Sequence, residues 1–122
     1  MSGAEFLLYT NIVIGLLKGY EPAVLLAEAN RLSLGQAAIS QITRMELLSF
    51  SSLSQQEEAE IRAFIGCCQV LMLDEQVEAQ GIQLRRSGTL KLPDAIVAST
   101  AIVHSLKLLT LDQRLSAGSR VS

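Results

Sequence analysis

The chain has 122 residues, enough for one domain with a buried core, and 49% of them are hydrophobic, which excludes a disordered segment. Its formal net charge of −2 excludes general attraction to nucleic acid, so any RNA or DNA contact has to come from a local basic patch. No apolar run approaches the roughly 20 residues of a membrane span, and the N-terminal stretch lacks the basic start of a signal peptide. A cytoplasmic protein with no membrane partner is therefore expected. The two cysteines, Cys67 and Cys68, are adjacent and read as small buried hydrophobes in a reducing compartment.

The first element is a strand over 5–8, ending in a polar corner, Tyr9-Thr10-Asn11. An apolar helix follows and stops near Gly19, a residue suited to a C-terminal cap. Pro22 suits the first turn of a second helix reaching about residue 33. "QAAISQ" (36–41) predicts a short second strand, and "TRMELLSF" (43–50) a helix with Thr43 as its N-cap. Ser54 and Glu57 have capping-box spacing, which predicts a helix from there to about Gly66. "QVLML" (69–73) reads as the third strand, and Asp74 caps the helix after it. Pro93 opens a helix inside "LKLPDAIVASTAIVHSLK", and "LLT" (108–110) is the last core strand. A short helical turn and a small, polar tail from Ser116 complete the chain.

Short, continuous, apolar strands alternate with helices, the pattern of a parallel sheet covered by helices on both faces. No repeat or low-complexity segment divides residues 1–122, which read as a single α/β domain.

Most acids sit in first turns of helices, where they favour the helix dipole and face water: Glu57, Glu58 and Glu60 in one, Asp74, Glu75 and Glu78 in another. Three fit less easily. Glu46 shares a helical stripe with Ile42 and Phe50, a costly place for an unpaired carboxylate, unless an edge position lets it reach water. Asp94 opens an otherwise apolar helix whose next turns carry the small Ala98 and Ala101, leaving room beside the acid. Asp112 lies just past the last strand, where a turn or capping aspartate is the plainer explanation. Each of the three comes at or just after an apolar strand. In a parallel sheet those strand ends share one edge, and carboxylates gathered there repel each other unless a cation joins them. Oxygen ligands suit Mg²⁺ or Mn²⁺, and no Cys/His spacing suits zinc.

The order of motifs resembles the PIN-domain family, and within it the VapC toxins of toxin–antitoxin pairs. "FLLYTNIVIGLLKG" is similar to a strand ending in Asp-Thr-Asn before an apolar helix, except at Tyr9. "ISQITRMELLSF" carries Glu46 before paired leucines, "LKLPDAIVASTAIVHSLKLLT" carries Asp94, and Thr110-Leu111-Asp112 matches a Thr-x-Asp. The resemblance covers nearly the whole chain. It implies a three-layer α/β/α fold with a short, mostly parallel central sheet. It implies endonucleolytic cleavage of RNA with Mg²⁺ (or Mn²⁺) as cofactor. The catalytic set carried over is Glu46, Asp94, Asp112, Thr110 and Asn11, with Glu46, Asp94 and Asp112 as metal ligands and Asn11 and Thr110 as polar support. The implied partners are a cognate antitoxin protein, an RNA substrate and a second copy of the chain.

Tyr9 stands where the resemblance implies the first aspartate. Phenol is neutral at pH 7, with a reference pKa near 10, and offers one weak oxygen on a bulky ring. Aspartate and tyrosine codons differ by one base, so Tyr9 reads as an inactivating change, introduced or selected, or as the mark of a natural degenerate copy; the plainer alternative is an ordinary core residue or a tolerated family variant. The alternative function is an inactive PIN domain that binds antitoxin or RNA. Arg85, Arg86 and Lys91 precede the Asp94 motif as candidate phosphate contacts or a solvated helix end. Arg44 and Arg114 are candidates to pair with the acids or touch RNA, and His104 is expected in the core or at its rim. The first two helices are aliphatic on more than one face, which points to an interface beyond the monomer core. A phosphoacceptor receiver domain has similar length and alternation. It is excluded because the acid pair after the first strand and the lysine after the last are both missing.

Overall fold

The computed structural model describes residues 3–112 and 115. Four strands, β1 (Phe6–Leu8), β2 (Ala37–Ser40), β3 (Gln69–Leu71) and β4 (Lys107–Leu109), form one parallel sheet in the order β3-β2-β1-β4. Each crossover holds two α-helices: α1 (Thr10–Leu17) and α2 (Glu21–Ala29), then α3 (Gln41–Leu48) and α4 (Gln55–Gly66), then α5 (Glu75–Ser87) and α6 (Leu92–Val103).

Successive side chains on a strand point to opposite faces. Leu8, Ile39 and Leu109 therefore meet Ile12 and Val13 of α1, Ala23 of α2, Leu47 of α3 and Ile61 of α4 on one face. Leu7, Ala38 and Leu108 meet Val97, Ala98 and Ala101 of α6 on the other. One core on each face makes the expected three-layer α/β/α fold, with a sheet that is parallel throughout. Ala98 and Ala101 do not leave open room beside Asp94; their small size lets α6 settle onto the sheet. The strands progress from β1 outward to β3, and β4 returns to the opposite side of β1. The crevice beyond the C-terminal ends of β1 and β4 is thus a topological switch point, where such sheets bind ligands.

The capping box of α4 is present as read: Glu57 N–H donates to Ser54 Oγ at 3.0 Å, and Ser54 N–H to Glu57 Oε1 at 2.9 Å. Asp74 caps α5 by accepting from Val77 N–H at 2.9 Å. At α3 the cap is Ser40, not Thr43; Thr43 is the residue whose N–H Ser40 captures, at 3.1 Å. The third strand stops at Leu71 because its partner β2 stops at Ser40, and Met72 and Leu73 are left exposed. The second helix ends at Ala29, short of residue 33, where Asn30 Nδ2 turns back to the Leu26 carbonyl and Arg31 takes a positive φ of 52°. Cys67 is exposed at the end of α4 and Cys68 half-buried, so the expected burial of both is corrected. His104 is exposed at the C-cap of α6.

Helices α1 and α2 touch through Gly15, where an added Cβ would lie 2.5 Å from Ala23 Cβ. Gly19, at φ +68°, makes the turn between them. Their excess of apolar residues reaches the surface at Leu17, Tyr20 and Leu25. Among the described residues no helix is long and apolar enough to cross a membrane. The helical turn expected after "LLT" lies largely, and the tail from Ser116 wholly, outside the described residues.

Candidate active site

The corner after β1 organises the site. Tyr9 is the extended N-cap of α1, and its N–H donates to the Leu109 carbonyl at 3.0 Å, which ties the corner to the end of β4. From there three consecutive side chains reach toward the surroundings of three different acids. The Tyr9 hydroxyl donates to Asp94 Oδ1, on the first turn of α6. Thr10 Oγ1 donates to Glu46 Oε1 of α3 at 2.5 Å and lies 3.4 Å from Thr43 Oγ1. Asn11 accepts from Leu111 N–H at 3.2 Å and donates from Nδ2 to Thr110 Oγ1 at 3.3 Å. Thr110 Oγ1 in turn accepts from Asp112 N–H at 3.1 Å. Asn11 and Thr110 thus shape the backbone that carries Asp112.

The phenol of Tyr9 titrates well above its ordinary value. Burial is the largest cause, the hydrogen bond to Asp94 comes next, and the charges of Glu46, Asp94 and Asp112 each add to it. One hydroxyl therefore feels all three carboxylates, which lie as far apart in the sequence as Glu46 and Asp112. At neutral pH it is an uncharged donor among anions.

A hard divalent ion asks for several free oxygens and for negative charge to match its own. Here one oxygen of Asp94 is taken by the phenol and one of Glu46 by Thr10. Among the described residues, no group of three or more His, Cys, Asp or Glu side chains is gathered closely enough to hold a metal ion. Two of the three expected ligands, Glu46 and Asp94, are thus held by hydroxyl donors, and the set of Glu46, Asp94 and Asp112 does not fit a divalent cation as it stands.

Glu46 is half-buried, and its partner is a neutral hydroxyl rather than a cation. Arg44 turns away from it toward Met72 Sδ, at 3.9 Å. Arg85 is spent on the Leu90 carbonyl at 2.8 Å, bracing the turn into α6, whereas Arg86 and Lys91 are exposed. Arg114 lies outside the described residues. Thr10 was not picked out by sequence reasoning. The available signal was a hydroxyl in the first turn of a helix that starts at the sheet edge, where α3 also starts.

The PIN domain family's sequence profile matches residues 6–120. No functionally curated protein matches the chain by sequence. Among solved structures, a toxin–antitoxin complex from Klebsiella pneumoniae contains a chain 32% identical, with a TM-score of 0.79, over 93% of this chain and 92% of that one. The VapBC-1 structure from nontypeable Haemophilus influenzae matches at 23% identity and a TM-score of 0.73, over 95% and 92% of the two chains. DNA-bound VapBC from Salmonella typhimurium matches at 24% identity and a TM-score of 0.72, over 92% and 89%.

Proposed function

Because the chain belongs to the PIN-domain family, we propose that it is the toxin half of a toxin–antitoxin pair, built for endonucleolytic RNA cleavage that Tyr9 impairs. The observation that carries this reading is the Tyr9 hydroxyl on Asp94, within electrostatic reach of Glu46 and Asp112. Glu46, Asp94 and Asp112 are the catalytic carboxylates in this proposal, with Asn11 and Thr110 holding the last of them in place. Family members of this kind generally use a divalent metal, Mg²⁺ or Mn²⁺. With a phenol at position 9 the site has one carboxylate fewer than the motif provides. Losses even in the surroundings of a metal site typically cost about 10–100-fold in affinity or activity.

An antitoxin is the proposed protein partner. A groove of about 320 Å³ is lined by Ile14, Leu17, Phe50, Leu53 and Ile61, with Glu57 at its edge. Its aliphatic and aromatic lining, with Lys18 and Glu60 beside it, suits the apolar face of an amphipathic helix. Lys91 and Arg86 are the exposed cations nearest in sequence to Asp94 and are the proposed contacts to RNA phosphates. A homodimer belongs to the same proposal and rests on Tyr20 and Leu25, each 54% exposed. A cytoplasmic location belongs to the same proposal, since RNA is its target.

The test compares the chain with Tyr9→Asp, each alone and with Asp94→Ala added, for RNA cleavage in Mn²⁺. Cleavage gained by Tyr9→Asp and removed by Asp94→Ala supports the reading. No gain from Tyr9→Asp overturns it. The Tyr9–Asp94 bond also favours a second reading, a binding module that holds antitoxin or RNA without cutting. Antitoxin binding by a chain in which neither form cleaves selects that one.

A further inference from the structure

We propose that the Tyr9 hydroxyl takes the structural place of a cation, so that Asp94 and Glu46 are balanced by hydroxyl donors and this sheet edge stays folded without a divalent ion. The inference rests on the same site as the proposed function but concerns its stability and ion binding rather than its catalysis.

Acids brought to one sheet edge need positive potential among them. Here it comes from dipoles. The O–H of Tyr9 faces Asp94 Oδ1, and the O–H of Thr10 faces Glu46 Oε1. Hydrogen bonds to a charged acceptor are roughly twice as strong as neutral ones, so two hydroxyls offset a substantial part of the repulsion. The same arrangement opposes a metal. The phenol occupies Asp94 Oδ1, one of the two oxygens that carboxylate could offer a cation, and the ring behind it packs against the core that includes Leu7, Val97 and Ala98. An entering ion has to break the Tyr9–Asp94 bond and displace a half-buried ring, and it gains no carboxylate at position 9 in return.

Three forms of the full chain test this: the protein itself, Tyr9→Phe and Tyr9→Asp. Each is melted in EDTA and in 1 mM Mn²⁺, and Mn²⁺ binding is titrated calorimetrically. The protein itself is expected to melt at the same temperature in both solutions and to bind Mn²⁺ at least tenfold more weakly than Tyr9→Asp. Tyr9→Asp is expected to melt lower in EDTA and to recover with Mn²⁺. Tyr9→Phe keeps the ring and loses the hydrogen, so it is expected to melt below the parent and to remain insensitive to Mn²⁺. A parent that binds Mn²⁺ as tightly as Tyr9→Asp overturns the inference, as does Tyr9→Phe melting no lower than the parent. If Tyr9→Asp does not fold in EDTA, the parent's Mn²⁺ titration and the Tyr9→Phe melt decide alone. RNA cleavage separates the two proposals. Tyr9→Asp that binds Mn²⁺ and leaves RNA intact ends the nuclease reading and supports this one. Tyr9→Asp that cleaves RNA while the parent binds Mn²⁺ equally well does the reverse.

Discussion

Asn11→Ala is the most direct probe of how the corner after β1 holds the segment beyond β4. The side chain makes two bonds across 100 residues of sequence, accepting from Leu111 N–H at 3.2 Å and donating to Thr110 Oγ1 at 3.3 Å. Both distances are at the long end of the normal range, so each bond belongs to the lower half of the usual 0.5–1.5 kcal/mol, or about 0.5–1. Truncation also strands the Leu111 N–H, but that region is half-buried and water repays part of the loss. The sum is about 1–2.5 kcal/mol. For a domain of this size each kcal/mol moves the melting temperature by about 3–6 °C, so a drop of about 3–15 °C is expected. Asn11→Asp keeps the acceptor for Leu111 and lets the Thr110 hydroxyl rotate its hydrogen toward the new carboxylate, so about half of that loss is expected. Urea unfolding with an unchanged m value measures both. Asn11→Ala within about 0.3 kcal/mol of the parent refutes the clamp.

Gly15→Ala forces a methyl to within 2.5 Å of Ala23 Cβ, and backbone movement between α1 and α2 should cost about 1–3 kcal/mol in the same assay. Ser54→Ala removes the acceptor of the α4 capping box and is expected to cost about 1 kcal/mol; no change in urea midpoint counts against the box as a stabilising element. Burial, with the neighbouring Cys67 adding, pushes the Cys68 thiol from 9.0 up to about 11. The folded chain thus keeps this proton where the unfolded chain has lost it, so its contribution to stability is complete below pH 9 and is lost as the pH rises through about 11. Iodoacetamide at pH 8.5 should label the exposed Cys67 first and Cys68 slowly, as read by peptide mass; equal labelling contradicts the shift.

Local chemistry was the most legible part of the chain. The α4 box and the Asp74 cap are short-range signals, complete within four residues, and both are where the sequence places them. The cap of α3 was misplaced because Ser40 and Thr43 are both competent, and the choice depends on where β2 ends. That end also shortened β3, since a strand extends only as far as its neighbour pairs. Burial of Cys67 was misjudged for a related reason: hydrophobic character does not say which way the residue capping the end of an amphipathic helix faces. Within the site, the sequence marks Glu46, Asp94 and Asp112 as acids out of place, and the motif order relates them. It does not show that Thr10, rather than Arg44, answers Glu46, because that contact spans 36 residues and depends on how α1 and α3 start side by side. It marks Tyr9 as anomalous without revealing Asp94 as its partner.

The pairing of β1 with β4 has a consequence for how the protein comes into being. Phe6 finds its neighbour Lys107 only after β2, β3 and all six helices α1 to α6 have been synthesised. Closing so long a loop is entropically slow, and a nascent chain at the ribosome carries β1 with one side open until then. Asp112 follows β4 in the chain, so the polypeptide cannot bring Glu46, Asp94 and Asp112 to one edge before that strand emerges.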